Sequence, residues 1–266
     1  MITIAVDAMG GDDAPRPEVE GSILAAREWD LRILLVGQPA DLRRELARHP
    51  HHGLDIEIVP ASEVISMTDS PAHAFRKKKD SSAHVAAHLV KRGKADAWFS
   101  AGNTGAVMTV ARFVLGTLPS VQRAALAAPL PTIKGGVAVI LDVGANVDSK
   151  VVHLLQFAVM GEIYYRLIFG TPRPRVALLA IGEEPGKGNE LSRETYPRME
   201  TLPLNFVGNV EGRDILSGAV DVIVCDGFVG NVALKVSEGV ALHIAALLKK
   251  ALMGSVASKV GAMLSR

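Results

Sequence analysis

The stretch ADAWFSAGNTGA, residues 95–106, joins a short apolar run to a small and polar turn. Ala97, Trp98 and Phe99 are followed within six residues by two glycines, an amide and a hydroxyl. Glycine lets a backbone approach a ligand closely and present its N–H groups. The stretch therefore predicts a strand that passes into a helix through a turn suited to a ligand.

The same construction recurs along the chain. Apolar runs rich in Val, Ile and Leu lie at 2–7, 31–37, 54–60, 95–102, 136–144, 175–182, 204–210 and 220–227. They lack in–out alternation, which is typical of strands covered on both faces, as in a parallel sheet. Segments with helical periodicity lie between them, at 17–29, 40–48, 81–92, 151–169 and 234–251. This alternation predicts a doubly wound α/β fold.

Composition limits the class of protein. The chain has 266 residues, 48% of them hydrophobic, which is enough for one large domain or two small ones. A formal net charge of +1 and the lack of a basic, aromatic-studded stripe give no indication of nucleic-acid binding. The single cysteine, Cys225, excludes an intramolecular disulfide framework and suits a reducing compartment.

Membrane and export signals are weak in this sequence. The start MITIAVDAMGG lacks a basic region and a long apolar region, so it predicts a first strand and not a signal peptide. The longest charge-free run, 97–111, has 15 residues and is too short and too polar for a transmembrane helix. We therefore expect a soluble cytoplasmic protein, with attachment to a membrane surface left open.

Six of the predicted strands end in a turn of small and polar residues. These turns are DAMGGD (7–12), SAGNTG (100–105), DVGANVD (142–148), IGEEPGKGNE (181–190), GNVEGRD (208–214) and CDGFVGN (225–231). Ligands of open parallel sheets bind outside the carboxyl ends of the strands, and helix N-termini there favour anions. Six such turns on one edge predict a polar cleft for an oxygen-rich anionic ligand, whereas tight turns alone would explain one of them.

Several familiar motifs are absent. No GxGxxG follows the first strand, and GEEPGKGN (182–189) has neither the glycine spacing of a P-loop nor a Ser or Thr after Lys187. No Gly-x-Ser-x-Gly nucleophile elbow is present. Cys225 ends an apolar strand, which favours a buried structural thiol over a nucleophile. His84 and His88 lack a third metal ligand, so packing or surface roles are favoured, and His49, His51 and His52 are interpreted as solvated loop residues.

Read in order, these turns resemble the bacterial phosphate acyltransferase family, known as PlsX. The matching motifs are DAMGGD (7–12), KKDSS (78–82), SAGNTGA (100–106), LDVGANVD (141–148), LLQFAVMG (154–161), IGEEPGKGNEL (181–191), NFVGNVEGRDI (205–215) and DVIVCDGFVGNVALK (221–235). They cover about residues 2–245 in collinear order. The resemblance implies a three-layer α/β fold with a mostly parallel sheet, similar to phosphotransacetylases and isocitrate-dehydrogenase-like proteins, usually in a homodimer.

The resemblance also implies an activity. Family members transfer a fatty acyl group from acyl-acyl carrier protein to inorganic phosphate, and the acyl phosphate then feeds glycerol-3-phosphate acylation in phospholipid synthesis. It implies no metal and no cofactor. Two alternatives stay open: a short-chain phosphotransacetylase that uses coenzyme A, and a non-catalytic sensor of phosphate or acyl metabolites. The family normally continues past residue 266, and the segment TDSPAHAF departs from its usual polar residues before the basic loop.

Site residues follow from the turns together with the resemblance. Asn103 and Lys187 are predicted to be catalytic, with Lys78 and Lys235 as second choices for the cation. The residues predicted to bind substrate are Asp7, Gly10, Gly11, Asp12, Lys78, Ser100, Gly102, Thr104, Gly105, Asn146, Asp148, Gly188, Asn189, Asn209, Asp226, Gly227, Asn231 and Lys235.

Two further segments differ in composition from the rest of the chain. The basic loop PAHAFRKKKDSS (71–82) could steer an acidic carrier protein, or it could be a solvated charge run. The predicted α/β domain spans 1–248, and 249–266 is an amphipathic basic segment of the kind that lies on anionic lipid. Since the product goes to a membrane glycerol-3-phosphate acyltransferase, the resemblance favours peripheral contact with the inner face of the membrane.

Overall fold

The computed structural model describes residues 1–253, which group into two compact units: unit 1, Met1–Ser120, and unit 2, which begins at Val121. The sequence predicted a single α/β domain over 1–248. The described residues contain two sheets, one in each unit. Most of the predicted amphipathic segment 249–266 lies outside the described residues. The part that is described continues the last helix without a break to Met253.

Unit 1 contains a four-stranded parallel sheet in the order β3-β2-β1-β4. Its strands are β1 (Ile2–Asp7), β2 (Leu31–Gly37), β3 (Ile56–Pro60) and β4 (Ala97–Ser100). Its helices are α1 (Arg16–Glu28), α2 (Pro39–Leu46), α3 (Pro71–Lys77), α4 (Ser82–Lys91) and α5 (Thr104–Val114). The segment 71–82, which the sequence predicted as a loop, therefore contains α3.

Helices cover both faces of this sheet. Ile33 and Leu35 pack with α1 and α2 on one face, while Leu34 and Val36 pack with α4 on the other. Successive residues of a strand point to opposite faces. A strand that is covered on both faces is therefore apolar at nearly every position. The continuous apolar runs therefore predicted the layering correctly, and the fold class is confirmed for this unit.

Unit 2 contains a five-stranded sheet in the order β5-β6-β9-β7-β8. Its strands are β5 (Ala127–Pro131), β6 (Val137–Leu141), β7 (Arg175–Leu179), β8 (Asn205–Val210) and β9 (Val222–Val224). Its helices are α6 (Val151–Phe169), α7 (Glu190–Met199) and α8 (Gly227–Met253), with a 3₁₀ turn at Gly212–Asp214. Only β5 is antiparallel to its neighbour.

By length and composition alone, α6 and α8 could cross a membrane. A buried core helix passes the same test, and α6 buries Leu154, Phe157 and Tyr165 in the core of unit 2. In contrast, α8 leaves a row of apolar side chains exposed, Val236, Val240, Ile244 and Leu247 among them. The described part of α8 is thus attached to the sheet mainly through its first turns.

Candidate functional site

The six predicted turns do not share one sheet edge. DAMGGD and SAGNTG follow the adjacent strands β1 and β4 of unit 1, and the other four follow β6, β7, β8 and β9 of unit 2. The expectation of a single edge was wrong, because the described residues form two separate sheets. Each set of turns is described within its own unit.

Asp7 and Ser100 join the two turns of unit 1. They are register partners at the ends of β1 and β4, and the Ser100 hydroxyl donates to Asp7 Oδ2 at 2.7 Å. The N–H of Gly102 donates to Ser100 Oγ at 3.1 Å, and that of Met9 to Asp7 Oδ1 at 3.3 Å. Asp7 is only 2% exposed. Its buried carboxylate therefore holds the two turns together through these hydrogen bonds. Asp7, which was predicted to bind substrate, has a structural role in this conformation.

The glycines of these turns are required by close packing of backbone on backbone. A Cβ at Gly102 would lie 2.9 Å from the carbonyl oxygen of Gly10, and a Cβ at Gly10 would lie 3.0 Å from the Gly102 nitrogen. The first contact is too short for any side chain, and a Cβ at Gly10 would also lie 2.6 Å from Asp7 Oδ2. The turn after β1 and the turn after β4 are thus in direct backbone contact at Gly10 and Gly102.

Asn103 caps α5 and anchors a distant loop. Its Oδ1 accepts from the Ala106 N–H at 3.1 Å, while its Nδ2 donates to the carbonyl oxygens of Met67 at 2.9 Å and Asp69 at 3.1 Å. Both amide hydrogens and the amide oxygen are engaged. The catalytic role predicted for Asn103 would require this amide to leave one of these partners.

The anchored loop also engages Lys78. Its ammonium group forms an ion pair with Asp69 at 2.5 Å and donates to the carbonyl oxygen of Val64 at 2.7 Å. The hydrogen bond from the Lys78 ammonium group is the main reason that the pKa of Asp69 is lowered. Lys78 is therefore bound to the loop that contains Asp69, and the Asp69 carboxylate partly neutralises its charge.

The start of α5 presents donors that the protein does not use. Within residues 1–253, the N–H groups of Thr104 and Gly105 and the Thr104 hydroxyl have no hydrogen-bond partner, and no acidic residue lies in the first turn. Unpaired N–H groups and the helix field favour an anion at such a position. Among the residues predicted in unit 1, Thr104 and Gly105 are best placed to hold an anionic ligand. Asp12 is exposed in the turn after β1.

Glu18 is a buried carboxyl that sequence reasoning missed. It is 6% exposed, its Oε1 occupies the space beside Gly11, and its Oε2 has no hydrogen-bond partner. Burial raises the pKa of Glu18, and the charges of Asp7 and Asp13 add to this. The segment PEVE has the composition of a solvated first helical turn, so no sequence signal could have identified it.

In unit 2, Asp142 organises the turn after β6. The carboxylate is fully buried and accepts from the N–H groups of Leu126, Gly144, Ala145 and Asn146. The Asn146 amide donates to Asp142 Oδ2 at 2.8 Å and to the carbonyl oxygen of Ala124 at 2.7 Å. Asn146 is thus a structural residue in this conformation, whereas Asp148 is exposed at the surface of the turn.

The glycine-rich loop after β7 is shaped by a hydrogen bond from β8. Asn209, 6% exposed, donates from Nδ2 to the carbonyl oxygen of Glu184 at 2.9 Å, and the Lys187 N–H donates to the same oxygen at 3.0 Å. Gly188 has φ +114°, and the Ser192 side chain fills the space where its Cβ would lie. Asn189 then caps α7 by accepting from the Ser192 N–H at 2.9 Å.

Lys187 stands out from the other predicted cations. It is exposed, and within the described residues its ammonium group has no ion-pair or hydrogen-bond partner. Lys235, by comparison, pairs with Glu238 at 2.8 Å on α8. The loop after β7 therefore presents an uncommitted positive charge.

The turn after β9 is joined to the turn after β6. The Gly227 N–H donates to the carbonyl oxygen of Asn146, and Asp226 Oδ1 accepts from the N–H groups of Phe228 and Val229. Asn231 lies beside Gly144. Since the first N–H groups of α8 already have protein acceptors, this helix start is less suited to an anion than that of α5.

Other reactive groups are structural in the described residues. Cys225 is 2% exposed, and burial raises the pKa of its thiol, as does the neighbouring Asp226. His84 is buried against Phe75 and bonded to Ser81, and burial lowers its pKa, which confirms a packing role.

The side chain of His49 is only partly solvated: it is 23% exposed and contacts Glu45 at 3.2 Å. Glu20, Glu45 and His49 place three possible metal-ligand atoms within 4.8 Å of one another. Arg16 and Arg48 already pair with these carboxylates, so an ion-pair network accounts for the group.

Comparisons with known proteins identify the family. The family described as "Fatty acid synthesis protein" matches residues 2–266. A phosphate acyltransferase of Geobacter sp. (strain M21) is 54% identical over 263 residues, which are 99% of this chain and 74% of the relative. One of Acidobacterium capsulatum is 54% identical over 264 residues, 99% of this chain and 78% of the relative.

Solved structures show the same fold at low sequence identity. A phosphotransacetylase from Streptococcus pyogenes aligns with a TM-score of 0.65 at 17% identity, covering 91% of this chain and 82% of its own. A branched-chain phosphotransacylase from Enterococcus faecalis V583 aligns with a TM-score of 0.55 at 16% identity, covering 88% and 83%. The predicted fold class and family are both confirmed: the chain belongs to the phosphate acyltransferase (PlsX) family of fatty acid synthesis proteins.

Proposed function

We propose that this phosphate acyltransferase takes a fatty acyl group from acyl carrier protein and transfers it to inorganic phosphate. The observation that carries the proposal is the start of α5, where Thr104 and Gly105 offer unused N–H groups without an acidic neighbour in the first turn. A phosphate ion fits the charge and the hydrogen-bond capacity of this turn.

The chemistry needs no activated side-chain nucleophile. A phosphate oxygen attacks the thioester carbonyl carbon, the C–S bond of the tetrahedral intermediate breaks, and the thiolate takes up the proton that hydrogen phosphate gives up. Phosphate is already anionic, and a thiolate is a fair leaving group, since a free thiol has a pKa of about 8.5. The absence of a nucleophile elbow and the buried state of Cys225 are consistent with this route.

The protein's contribution is then alignment and charge stabilisation. Each well-placed donor to a developing oxyanion contributes roughly 3–4 kcal/mol, and alignment of two bound reactants about 7–11 kcal/mol at the upper end. For charge neutralisation we favour Lys187, because Lys78 and Lys235 are each paired with a carboxylate.

The docking of an acidic carrier protein is supported by the cations at the end of α3. Arg76 and Lys77 are exposed, and within residues 1–253 neither forms an ion pair. Lys78 is bound to Asp69, and Lys79 lies over the Phe75 ring at 3.8 Å. Arg76 and Lys77 are therefore the cations available to a partner.

We further propose a cytoplasmic homodimer that contacts the inner face of the membrane and passes acyl phosphate to a membrane glycerol-3-phosphate acyltransferase. The exposed apolar side chains on α8 could be covered by the second subunit of the homodimer or by the membrane, and they support both proposals. The basic amphipathic pattern of 249–266 supports the membrane.

A donor comparison tests the function. The whole chain is incubated with phosphate and with palmitoyl-carrier protein, palmitoyl-CoA or acetyl-CoA, and acyl phosphate and thiol release are followed. We expect the carrier-protein donor to react fastest. A preference for acetyl-CoA would instead identify a short-chain phosphotransacetylase, and phosphate binding without turnover of any donor would identify a sensor.

A further inference from the structure

A cavity of about 140 Å³ lies within unit 2, between α6, α7 and the carboxyl ends of β7 and β9. Its inner wall is formed by Leu154, Leu178 and Cys225, each only 1–2% exposed. A buried free cysteine behaves as a small hydrophobe. The inner wall formed by these three residues is therefore apolar. Ser192, 7% exposed, also lines the cavity, and its hydroxyl already donates to the carbonyl oxygen of Asn189.

The mouth of the cavity has a different character. Asn189, Leu191, Asp226 and Val229 line the cavity and also an open hollow on the surface of unit 2. The hollow continues over Asp148, Ser149 and Phe228. The cavity thus opens among residues of the predicted site, polar at its mouth and apolar inside. A ligand with a polar head and an apolar tail matches this arrangement.

The size of the cavity limits what can enter. An apolar cavity of about 150 Å³ stays dry and binds benzene, so a volume of 140 Å³ accepts about six carbon atoms. A whole palmitoyl chain cannot fit. Ile181, 80% exposed, lies at the outer part of the lining, where a longer chain can continue into solvent or toward a partner.

We propose that this cavity of unit 2 binds the acyl group of the donor, with about the first six carbons of the chain inside it. The inference rests on the proposed function and adds the location of the acyl subsite. Each methylene group removed from water strengthens binding by about fourfold. Affinity should therefore rise steeply with chain length up to about six carbons and level off beyond them.

Val229 allows a test with little risk to folding. Its side chain lies at the mouth and is 37% exposed, so Val229→Phe narrows the cavity without overpacking the core. Val232→Phe makes the same change at a site on α8 that is 48% exposed and does not line the cavity. The probes are carrier proteins loaded with acetyl to palmitoyl groups, with thiol release measured at saturating phosphate.

In the unmodified chain we expect kcat/KM to rise about fourfold per methylene and to level off near six carbons. In Val229→Phe the plateau should move to about three carbons, and in Val232→Phe it should stay. Calorimetry with the hexanoyl thioester of N-acetylcysteamine gives a readout without turnover, and Val229→Phe should weaken its binding at least tenfold. An unchanged chain-length profile and unchanged hexanoyl binding in Val229→Phe would overturn the acyl subsite. Weakened hexanoyl binding without turnover of any donor would overturn the proposed function and leave the subsite standing.

Discussion

Asn103 and Asp69, thirty-four positions apart, are joined by a hydrogen bond of 3.1 Å from the Asn103 amide to the Asp69 carbonyl oxygen. The same amide donates to Met67 and caps α5 through Ala106. One side chain therefore sets both the start of α5 and the position of the loop that holds Lys78. In this conformation Asn103 positions its neighbours, and the catalytic role predicted for it stays a prediction.

Two substitutions at Asn103 separate these roles. Asn103→Ala removes the cap and both donors, and should lower the free energy of unfolding by about 0.5–2 kcal/mol. Asn103→Ser keeps a capping oxygen and removes only the amide donors, so it should lose less stability than Asn103→Ala. Because the loop is released in both, we expect turnover to fall at least tenfold in both. Urea unfolding and thiol release measure the two effects.

The Asn103→Ser variant is decisive. Unmodified turnover in a stable Asn103→Ser protein would show that the bonds to Met67 and Asp69 are irrelevant to the reaction. Asn103 would then act only as a helix cap.

Lys187→Ala should lower turnover at least tenfold while leaving stability unchanged. The ammonium group is exposed and has no partner in the described residues, so its loss removes charge neutralisation but no contact of the fold. Lys94→Ala, an equal change of charge at an exposed position after α4, serves as the control. Normal rates for Lys187→Ala at saturating phosphate would remove this residue from the site.

Charge reversal at Arg76 and Lys77 should weaken the carrier-protein substrate selectively. We expect KM for palmitoyl-carrier protein to rise at least fivefold and its salt dependence to flatten, because exposed charges steer association. Palmitoyl-CoA lacks the protein surface and should be little affected. Reversal of Lys91 and Arg92, exposed at the far end of α4, is the matched control. Equal losses with both donors would point to phosphate binding and count against docking.

Glu18→Gln should stabilise the protein at neutral pH. Burial raises the pKa of Glu18 above its usual 4.5, so the folded chain binds the proton more tightly than the unfolded chain and disfavours the ionised form. This cost is present at pH 7 and disappears as pH falls through the raised pKa toward 4.5. We expect Tm to rise by about 2–4 °C in Glu18→Gln at pH 7, with the gain vanishing near pH 4.5.

Glu28→Gln, on the exposed end of the same helix, controls for the change in net charge. A lower Tm for Glu18→Gln at pH 7 would contradict this account. It would mean that the ionised carboxylate is held favourably by the Gly11 N–H.

The sequence predicted best the elements whose apolar residues pack into the core of one unit. The predicted helix 151–169 matches α6 at both ends, because its apolar face is the core of unit 2 and Gly170, with φ +68°, terminates it. The strand β5 was missed because AAPLP contains two prolines, which are compatible only with an edge position. The helix α7 was missed as well, since Pro197 lies inside its sequence.

The site was predictable only in part, for a physical reason. The turns at the strand ends are local, so their glycines and capping residues are visible in the sequence. The partners of those residues are not local: Ser100 is bonded to Asp7 across 93 positions, and Asn209 to Glu184 across 25. Composition cannot show which polar side chains are consumed by such bonds and which, like Thr104 and Lys187, stay available.

The last prediction concerns LLKKALMGSVASKVGAMLSR, residues 247–266. At 100° per residue, Leu252, Met253, Val256, Val260, Met263 and Leu264 fall on one arc, and most of the basic and hydroxyl side chains occupy the remainder. A basic amphipathic segment binds anionic lipid through apolar burial and charge together. We expect the whole chain to float with vesicles of anionic phospholipid, reversibly, and to be released by high salt.

Truncation decides whether this segment is responsible. A chain ending at Met253 keeps every residue of α8 and removes only the basic amphipathic remainder, so loss of flotation would not reflect damage to the described fold. Neutral phosphatidylcholine vesicles are the control, since the charge term is absent there. Equal flotation of both chains would show that residues 254–266 are not required, and would point to the exposed apolar residues of α8 as the membrane contact. Failure of the whole chain to float on anionic vesicles would refute membrane contact altogether.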